Sequence, residues 1–490
     1  MNAWFPRVTV HSLVVVISVL TYVLTTRVER ERRPPSIAIA WVLGMIAVPY
    51  LALPMYLMFG RRKLPRRVRR WSGSRRHGDH WAEDLIESFG LAPAACSAVH
   101  LHQDGGESAA ALFATMSSAV QRLDICTYIL GNDAFGRDVM QRMIERARSG
   151  AQVRLLIDGV GAIQLPRACF NQLTFAGVEI AIFSPLLARK TQGPRNLRDH
   201  RKMVVADGMQ LWAGGRNLAA EYFVGLHGAK PWRDLSFDLH GPVAAAAAAQ
   251  FEADWVAAGG TPAARTPAAT AATAATAPET APGTTAGTTA GTAAGTTAAA
   301  VAGPRDSLPQ SMEGRAQFLP SGPDQAEDTV HALLIDACFH ARERMLAVTP
   351  YFVPDAALEA AIRLAARRGV KIDLLIPAVS NHRLADFARN RALRALARAG
   401  VAIHLLPYMI HAKAVVFDQA LALSGSVNLD SRSLLLNYEC AVVFYGAREI
   451  DWLSRWVGAL IPDGRPFDGR APSLWRDIGE GLLLTVAYQL

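Results

Sequence analysis

Apolar positions follow three different patterns along the chain. Val8–Thr26 and Ser36–Gly60 are continuous runs without Asp, Glu, Lys or Arg. Each is long enough to cross a hydrocarbon layer of roughly 30 Å as a helix, so residues 1–60 are expected to form a two-helix transmembrane hairpin. A cleaved leader is the poorer reading, because no small-x-small site separates the first run from the charged stretch Arg27–Arg33. Beyond residue 100 the pattern changes to short apolar runs of strand length, each followed by a helical periodicity. Asp124–Leu130 and Met345–Tyr351 are two such runs. Further on, a helical stretch ends at Gly150 before the apolar run Val153–Asp158, and another ends at Gly369 before Val370–Ile376. Ala176–Phe183 and Ala399–Leu406 match one another in the same way. Strand, helix and strand in alternation predict an α/β layered unit, and the matches predict it twice. The third pattern lies between the copies. Val256–Gly303 is almost entirely Ala, Thr, Gly and Pro, has little to bury, and reads as a flexible linker.

These patterns divide the chain into a hairpin at 1–60, a basic juxtamembrane segment at 61–100, a first half at 101–255, a linker at 256–310 and a second half at 311–490. With 490 residues, 51% of them hydrophobic, the chain is able to bury a sizeable core and is not disordered throughout. Charge refines the picture. Lys and Arg number 51 against 42 Asp and Glu, but nine of the cations fall between Arg61 and Arg76, and without that cluster the two signs balance. A balanced body weighs against a general nucleic-acid binder. By the positive-inside rule the cluster puts the body on the cytoplasmic side, where each cation near anionic headgroups contributes about 1 kcal/mol. The five cysteines are odd in number and widely spaced, as expected of free thiols in a reducing compartment rather than of a zinc or redox motif.

Each half carries one further element, His200-Arg-Lys202 with Asp207 in the first and His411-Ala-Lys413 with Asp418 in the second. Both follow His-x-Lys-x4-Asp. If each motif lies on a strand, the His and Lys two residues apart share a face while the apolar residues after them anchor it. The Asp, at an odd offset of seven, falls on the other face and is expected to fix a turn or an ion pair. Asn217 and Asn428 each lie ten residues beyond the Asp, in Gly214-Gly-Arg-Asn217 and Gly425-Ser426-Val-Asn428. Small residues there let the backbone approach a bound group closely. One imidazole to attack phosphorus, a second to protonate the leaving oxygen, and ammonium and amide groups to hold the remaining oxygens constitute phosphoryl-transfer chemistry.

With its two motifs the chain resembles the phospholipase D superfamily, and within it the bacterial cardiolipin synthases. The matching residues include Trp41 and Pro49, Asp199-His-Arg-Lys202, Trp232-Arg-Asp234, Thr349-Pro-Tyr-Phe-Val-Pro-Asp355 and Gly425 through Ser433 to Asn437-Tyr-Glu439. The resemblance implies two pseudo-symmetric α/β mixed-sheet units sharing one site. Its catalytic set is His200, Lys202, Asp207, His411, Lys413 and Asp418, supported by Asn217, Asn428, Ser426, Asp234 and Glu439. It further implies that an acidic residue orients each histidine, with Glu439 assigned to His411 and Asp234 to His200. Departures are Ala219 where the second half has Asp430, and Arg216 where it has Val427. The implied reaction passes a phosphatidyl group from one phosphatidylglycerol to another through a phosphatidyl-histidine, with His200 as nucleophile, no cofactor and no metal. The implied setting is the bacterial inner membrane, with anionic lipids as partners. A hydrolase, or a transferase with another donor or acceptor, shares these motifs.

Overall fold

The computed structural model describes residues 5–29, 35–60, 80–185, 196–226, 228–262 and 314–485. The basic cluster at 61–76 and most of the Ala/Thr-rich linker lie outside them. In the first half, seven strands form one sheet. They are β1 (Ala98–His102), β2 (Arg122–Thr127), β3 (Gln152–Asp158), β4 (Glu179–Phe183), β5 (Met203–Ala206), β6 (Gln210–Gly214) and β7 (Ser236–His240). The second half adds β8 (Arg315–Ser321), β9 (Arg344–Val348), β10 (Lys371–Pro377), β11 (Ala402–Leu406), β12 (Ala414–Phe417), β13 (Leu421–Gly425) and β14 (Glu439–Phe444).

The sheet orders are β1-β7-β6-β5-β2-β3-β4 and β8-β14-β13-β12-β9-β10-β11, the second extended at its edges by Ala95–Cys96 and Arg465–Pro466. The two orders superimpose strand for strand. In each, the βαβ part is parallel and the hairpin part antiparallel, so each half is the mixed unit predicted from the repeat. A shared apolar core lies between the halves, with Phe237 of β7 meeting Phe444 of β14 edge to face at 5.4 Å. The helices Pro242–Ala257 and Ala447–Gly458 pack into that layer, and each sheet keeps a second core on its outer face.

The N-terminal region differs from its expected form. The second apolar run is two helices, Pro35–Ala47 and Pro49–Phe59, rather than one. Val48, at φ −141° and ψ 59°, separates them, because a residue before proline is forced out of the helical region and Pro49 has no N–H to continue the ladder. Together with Phe5–Glu29 they form a three-helix unit closed by Tyr22, Met45 and Tyr56. Among the described residues no helix is long and apolar enough to cross a membrane.

The aspartates that close the two motifs are built into turns. Asp207 accepts hydrogen bonds from the N–H groups of Val120, Gln121 and Arg122 at 2.7–2.8 Å. Asp418 does the same for Arg342, Glu343 and Arg344 at 2.6–2.9 Å. Both sit in the left-handed region, at φ 51° and 49°, where a short polar side chain able to bond locally is tolerated. Each thereby clamps the segment entering an interior strand, β2 or β9. Asp207→Ala is expected to lose about 1–3 kcal/mol of stability through three lost hydrogen bonds and a left-handed backbone that alanine tolerates poorly, while turnover per folded molecule stays within a few-fold. Thermal unfolding alongside active-site titration checks this, and lost turnover at an unchanged melting temperature would instead make the residue catalytic.

Candidate active site

The site forms where the halves meet, and backbone pairing between them sets its geometry. His200 N–H donates to the Tyr438 carbonyl at 2.8 Å, and Tyr438 N–H to the Arg198 carbonyl at 2.9 Å. The other side mirrors this, His411 N–H donating to the Arg233 carbonyl at 2.6 Å and Arg233 N–H to the Met409 carbonyl at 3.1 Å. Each histidine segment thus runs beside the segment that carries the acid of the opposite half. The motifs' His and Lys consequently precede β5 and β12, which begin only at Met203 and Ala414. They are not on strands, and the N–H of each histidine bonds a carbonyl of the other half instead of a neighbouring strand of its own sheet.

This pairing reverses the expected acid assignments. His200 Nδ1 lies 2.9 Å from Glu439 Oε1 and 3.1 Å from Oε2, and His411 Nδ1 lies 2.7 Å from Asp234 Oδ2. Each carboxylate serves the histidine of the other half, so neither half contains a complete histidine–carboxylate pair. Ser426 donates its hydroxyl to Glu439 Oε2. At the matching position, Gly215, a Cβ would come within 2.2 Å of Asp234 Oδ1, so the shorter acid requires a glycine where the longer one is met by a serine.

The lysines are buried beside the histidines. Lys202 Nζ donates to the His200 carbonyl at 2.7 Å and Lys413 Nζ donates likewise to the His411 carbonyl, but Lys413 Nζ also lies 2.8 and 3.0 Å from the two ring nitrogens of His411. Asn217 Nδ2 donates to the Tyr222 hydroxyl at 2.8 Å and Asn428 Nδ2 to Ser433 Oγ at 3.1 Å. In both halves the hydroxyl lies five residues after the asparagine, a repeat visible in the sequence but not used there. Two tyrosines also escaped the motif reading. Tyr128 and Tyr222 each present a T-shaped contact at 5.1 Å, to His200 and His411 respectively. Arg201, between His200 and Lys202, is structural. It is buried, pairs with Asp254 at 2.6 Å and Asp324 at 3.1 Å, and donates to the Glu439 carbonyl at 2.9 Å, tying the halves together.

Electrostatics follow from this burial. Desolvation pulls His200 down to about 4 despite Glu439, and His411 down to about 3, with Lys413 adding to the effect. Both imidazoles are neutral near pH 7. Burial likewise lowers Lys202 to about 8 and Lys413 to about 7. Burial disfavours ionised Asp234, but the facing His411 and Lys413 outweigh it and hold the carboxyl at about 2. Glu439 is held below its ordinary value in the same way by His200 and Lys202. The lysine of each half acts on the histidine of the other, as one shared cluster requires. Among the described residues, no group of three or more His, Cys, Asp or Glu is arranged to hold a metal ion.

The family model described as cardiolipin synthase, phospholipase D-like domain matches residues 112–255 and 334–461, which are the two halves around this cluster. The chain belongs to this family. It is 31% identical to Cardiolipin synthase A of Pseudomonas aeruginosa, over 88% of this chain and 85% of that one. Cardiolipin synthase A of Pseudomonas putida strain W619 is 30% identical over 83% and 82%. Residues 12–61 match a second model, the phospholipase D-nuclease N-terminal family. Among solved structures, phosphatidylserine synthase of Haemophilus influenzae aligns over 84% of this chain and 99% of that one, with a TM-score of 0.57 at 13% identity, a likeness of fold. As a cardiolipin synthase-like member of the phospholipase D superfamily, the chain is a phosphatidyltransferase.

Proposed function

We propose that the protein makes cardiolipin by transferring a phosphatidyl group from one phosphatidylglycerol to the terminal hydroxyl of another. The observation that carries this reading is the pair of histidines, each held at Nδ1 by a carboxylate of the opposite half. A carboxylate on Nδ1 fixes the proton there and leaves Nε2 as the reacting nitrogen. The two histidines are not equivalent. Lys413 lies 3.0 Å from His411 Nε2, whereas among the described residues no group hydrogen-bonds His200 Nε2, and the His200 side chain is the more exposed, 14% against 4%. This favours His200 as nucleophile.

His200 Nε2 attacks phosphorus, and the bond to the glycerol oxygen breaks as His411, which takes up a proton from solvent when the bound phosphate's negative charge raises its pKa, gives that proton to the oxygen. Glycerol leaves, and Glu439 balances the positive charge on the phosphorylated His200 ring. The terminal hydroxyl of the second phosphatidylglycerol then surrenders its proton to His411 and attacks phosphorus, the P–N bond breaks, and His200 returns neutral. Lys202 and Lys413 hold the non-bridging oxygens. Asn217 and Asn428 assist, since turning each amide over puts its oxygen on the Tyr222 or Ser433 hydroxyl and its NH2 on the phosphate. In the N-terminal unit Leu13, Val16, Leu20, Leu43 and Leu51 are exposed, and residues 1–60 on this reading lie in the bacterial inner membrane with the catalytic body on its cytoplasmic side.

The lysines hold phosphate only as ammonium ions, the form present below their pKa. With Lys413 at about 7 and Lys202 at about 8, kcat/KM is expected to fall as pH rises from 7 through 8; a profile flat to pH 9 would remove them from phosphate binding. Lipid analysis of cells lacking and then regaining the protein tests the function itself. Cardiolipin should disappear and return, whereas changes confined to another phospholipid would contradict the reading.

A further inference from the structure

A cleft of about 720 Å³ includes Arg216, the neighbour of Asn217, in its lining. It is lined by Arg216 and Asp234, by Lys230 and Trp232, and by Trp452 and Trp456 of the helix Ala447–Gly458. Arg216 is 1% exposed. It donates to the Tyr222 carbonyl and to Ser236 Oγ, both at 3.0 Å, and among the described residues no carboxylate lies within ion-pair distance of it. A buried guanidinium with no carboxylate in ion-pair contact is expensive, and burial, outweighing the more distant attraction of Asp234 and Asp104, pushes its pKa below the ordinary arginine value. The corresponding residue of the second half is Val427, packed into the outer apolar core. The repeat therefore folds without a cation at this position, and the fold alone does not require one in the first half.

The other charges of the cleft sharpen the contrast. Arg233 pairs with Asp463 at 3.2 Å and Arg455 with Asp451 at 3.1 Å. The two carboxylates are also engaged, Asp234 on His411 and Asp104 on the N–H of Glu107 at 2.9 Å. Lys230 has no carboxylate partner among the described residues, and Arg216 feels Asp234 and Asp104 only from beyond ion-pair distance, so two cations without an ion pair line the cleft together with the indoles. The volume is within the range of small-molecule sites.

We propose that this cleft is a second phosphate site, separate from the catalytic one, in which Arg216 and Lys230 bind the phosphate of a glycerophospholipid headgroup or free phosphate. Arg216 presents a planar fork suited to phosphate oxygens, and the tryptophans suit a glycerol backbone at a membrane surface. The site communicates with the chemistry, since Asp234 and Trp232 line the cleft and both also contact His411. An anion on Arg216 weakens the guanidinium's attraction for Asp234 and so leaves that carboxylate more strongly engaged with His411.

The test is calorimetric titration of the full chain, in micelles of a phosphate-free maltoside detergent, with inorganic phosphate, and separately with short-chain phosphatidylglycerol on the His200→Ala background, where no transfer occurs. Two phosphate-binding events are expected. Arg216→Gln should remove one, Lys230→Gln, on the surface and with no bearing on folding, should weaken that same one at least tenfold, and Lys202→Met should remove the other. Competition by phosphatidylglycerol at the Arg216 event identifies the lipid headgroup as its ligand, and lack of competition identifies free phosphate. If Lys230→Gln leaves both events intact, or if Arg216→Gln and Lys202→Met abolish the same one, the second site does not exist. If Lys202→Met alone changes nothing, the catalytic reading fails while the Arg216 site stands.

Discussion

Replacing His200 by Ala is expected to abolish both turnover and covalent labelling, a loss on the order of 10⁴ or more, as for other nucleophiles that act as part of a unit. Replacing His411 is expected to behave differently. On the proposed mechanism His411→Ala removes the proton donor but keeps the nucleophile, so a phosphatidyl ester with a good leaving group, which needs no protonation, should still label the protein at His200. The asymmetry at Nε2 underlies this, with Lys413 3.0 Å from His411 Nε2 and no described hydrogen-bond partner on His200 Nε2. Mass spectrometry of the acid-quenched protein reads the outcome. Label on His411 in His200→Ala would reverse the two roles while leaving a two-histidine mechanism standing.

The second large effect tests the crossed carboxylates. Glu439→Gln keeps the shape near His200 but removes the charge that stabilises its phosphorylated ring, and is expected to slow formation of the intermediate by about 10²–10⁴. Asp234→Asn acts on His411, and should spare labelling from an activated ester while slowing turnover of phosphatidylglycerol. Rapid-quench measurement of the two phases separates them. The opposite pattern, with Asp234→Asn blocking labelling and Glu439→Gln sparing it, would return the acids to the assignment made within the sequence repeat.

That reversal marks the boundary of what the sequence makes legible. The two-unit α/β fold is readable because the repeat Val153–Asp158 and Val370–Ile376 carries the burial pattern of a central strand. The phosphatidyltransferase class is readable because His-x-Lys-x4-Asp occurs twice. What the repeat conceals is the contact between its copies. Sequence spacing relates Glu439 to His411, 28 residues before it, but parallel bridges between Asp199 and Tyr438 and between Arg233 and Ile410 bring each acid to the histidine of the opposite half. Placement of the histidines on strands failed for the same reason, since their N–H groups bond to carbonyls distant in sequence. In the N-terminal region, Pro49 is a visible helix breaker within an apolar run, and the run's length masked it.

The most direct measurement supplies the purified protein, reconstituted in membranes with EDTA present, with phosphatidylglycerol labelled separately in the glycerol headgroup and in the acyl chains. Transfer between lipids predicts one cardiolipin for each glycerol released, both labels appearing in the proportions of two donors losing one headgroup, and little phosphatidic acid. Glycerol released with phosphatidic acid as the main lipid product would mean that water, rather than a second phosphatidylglycerol, takes the phosphatidyl group from His200.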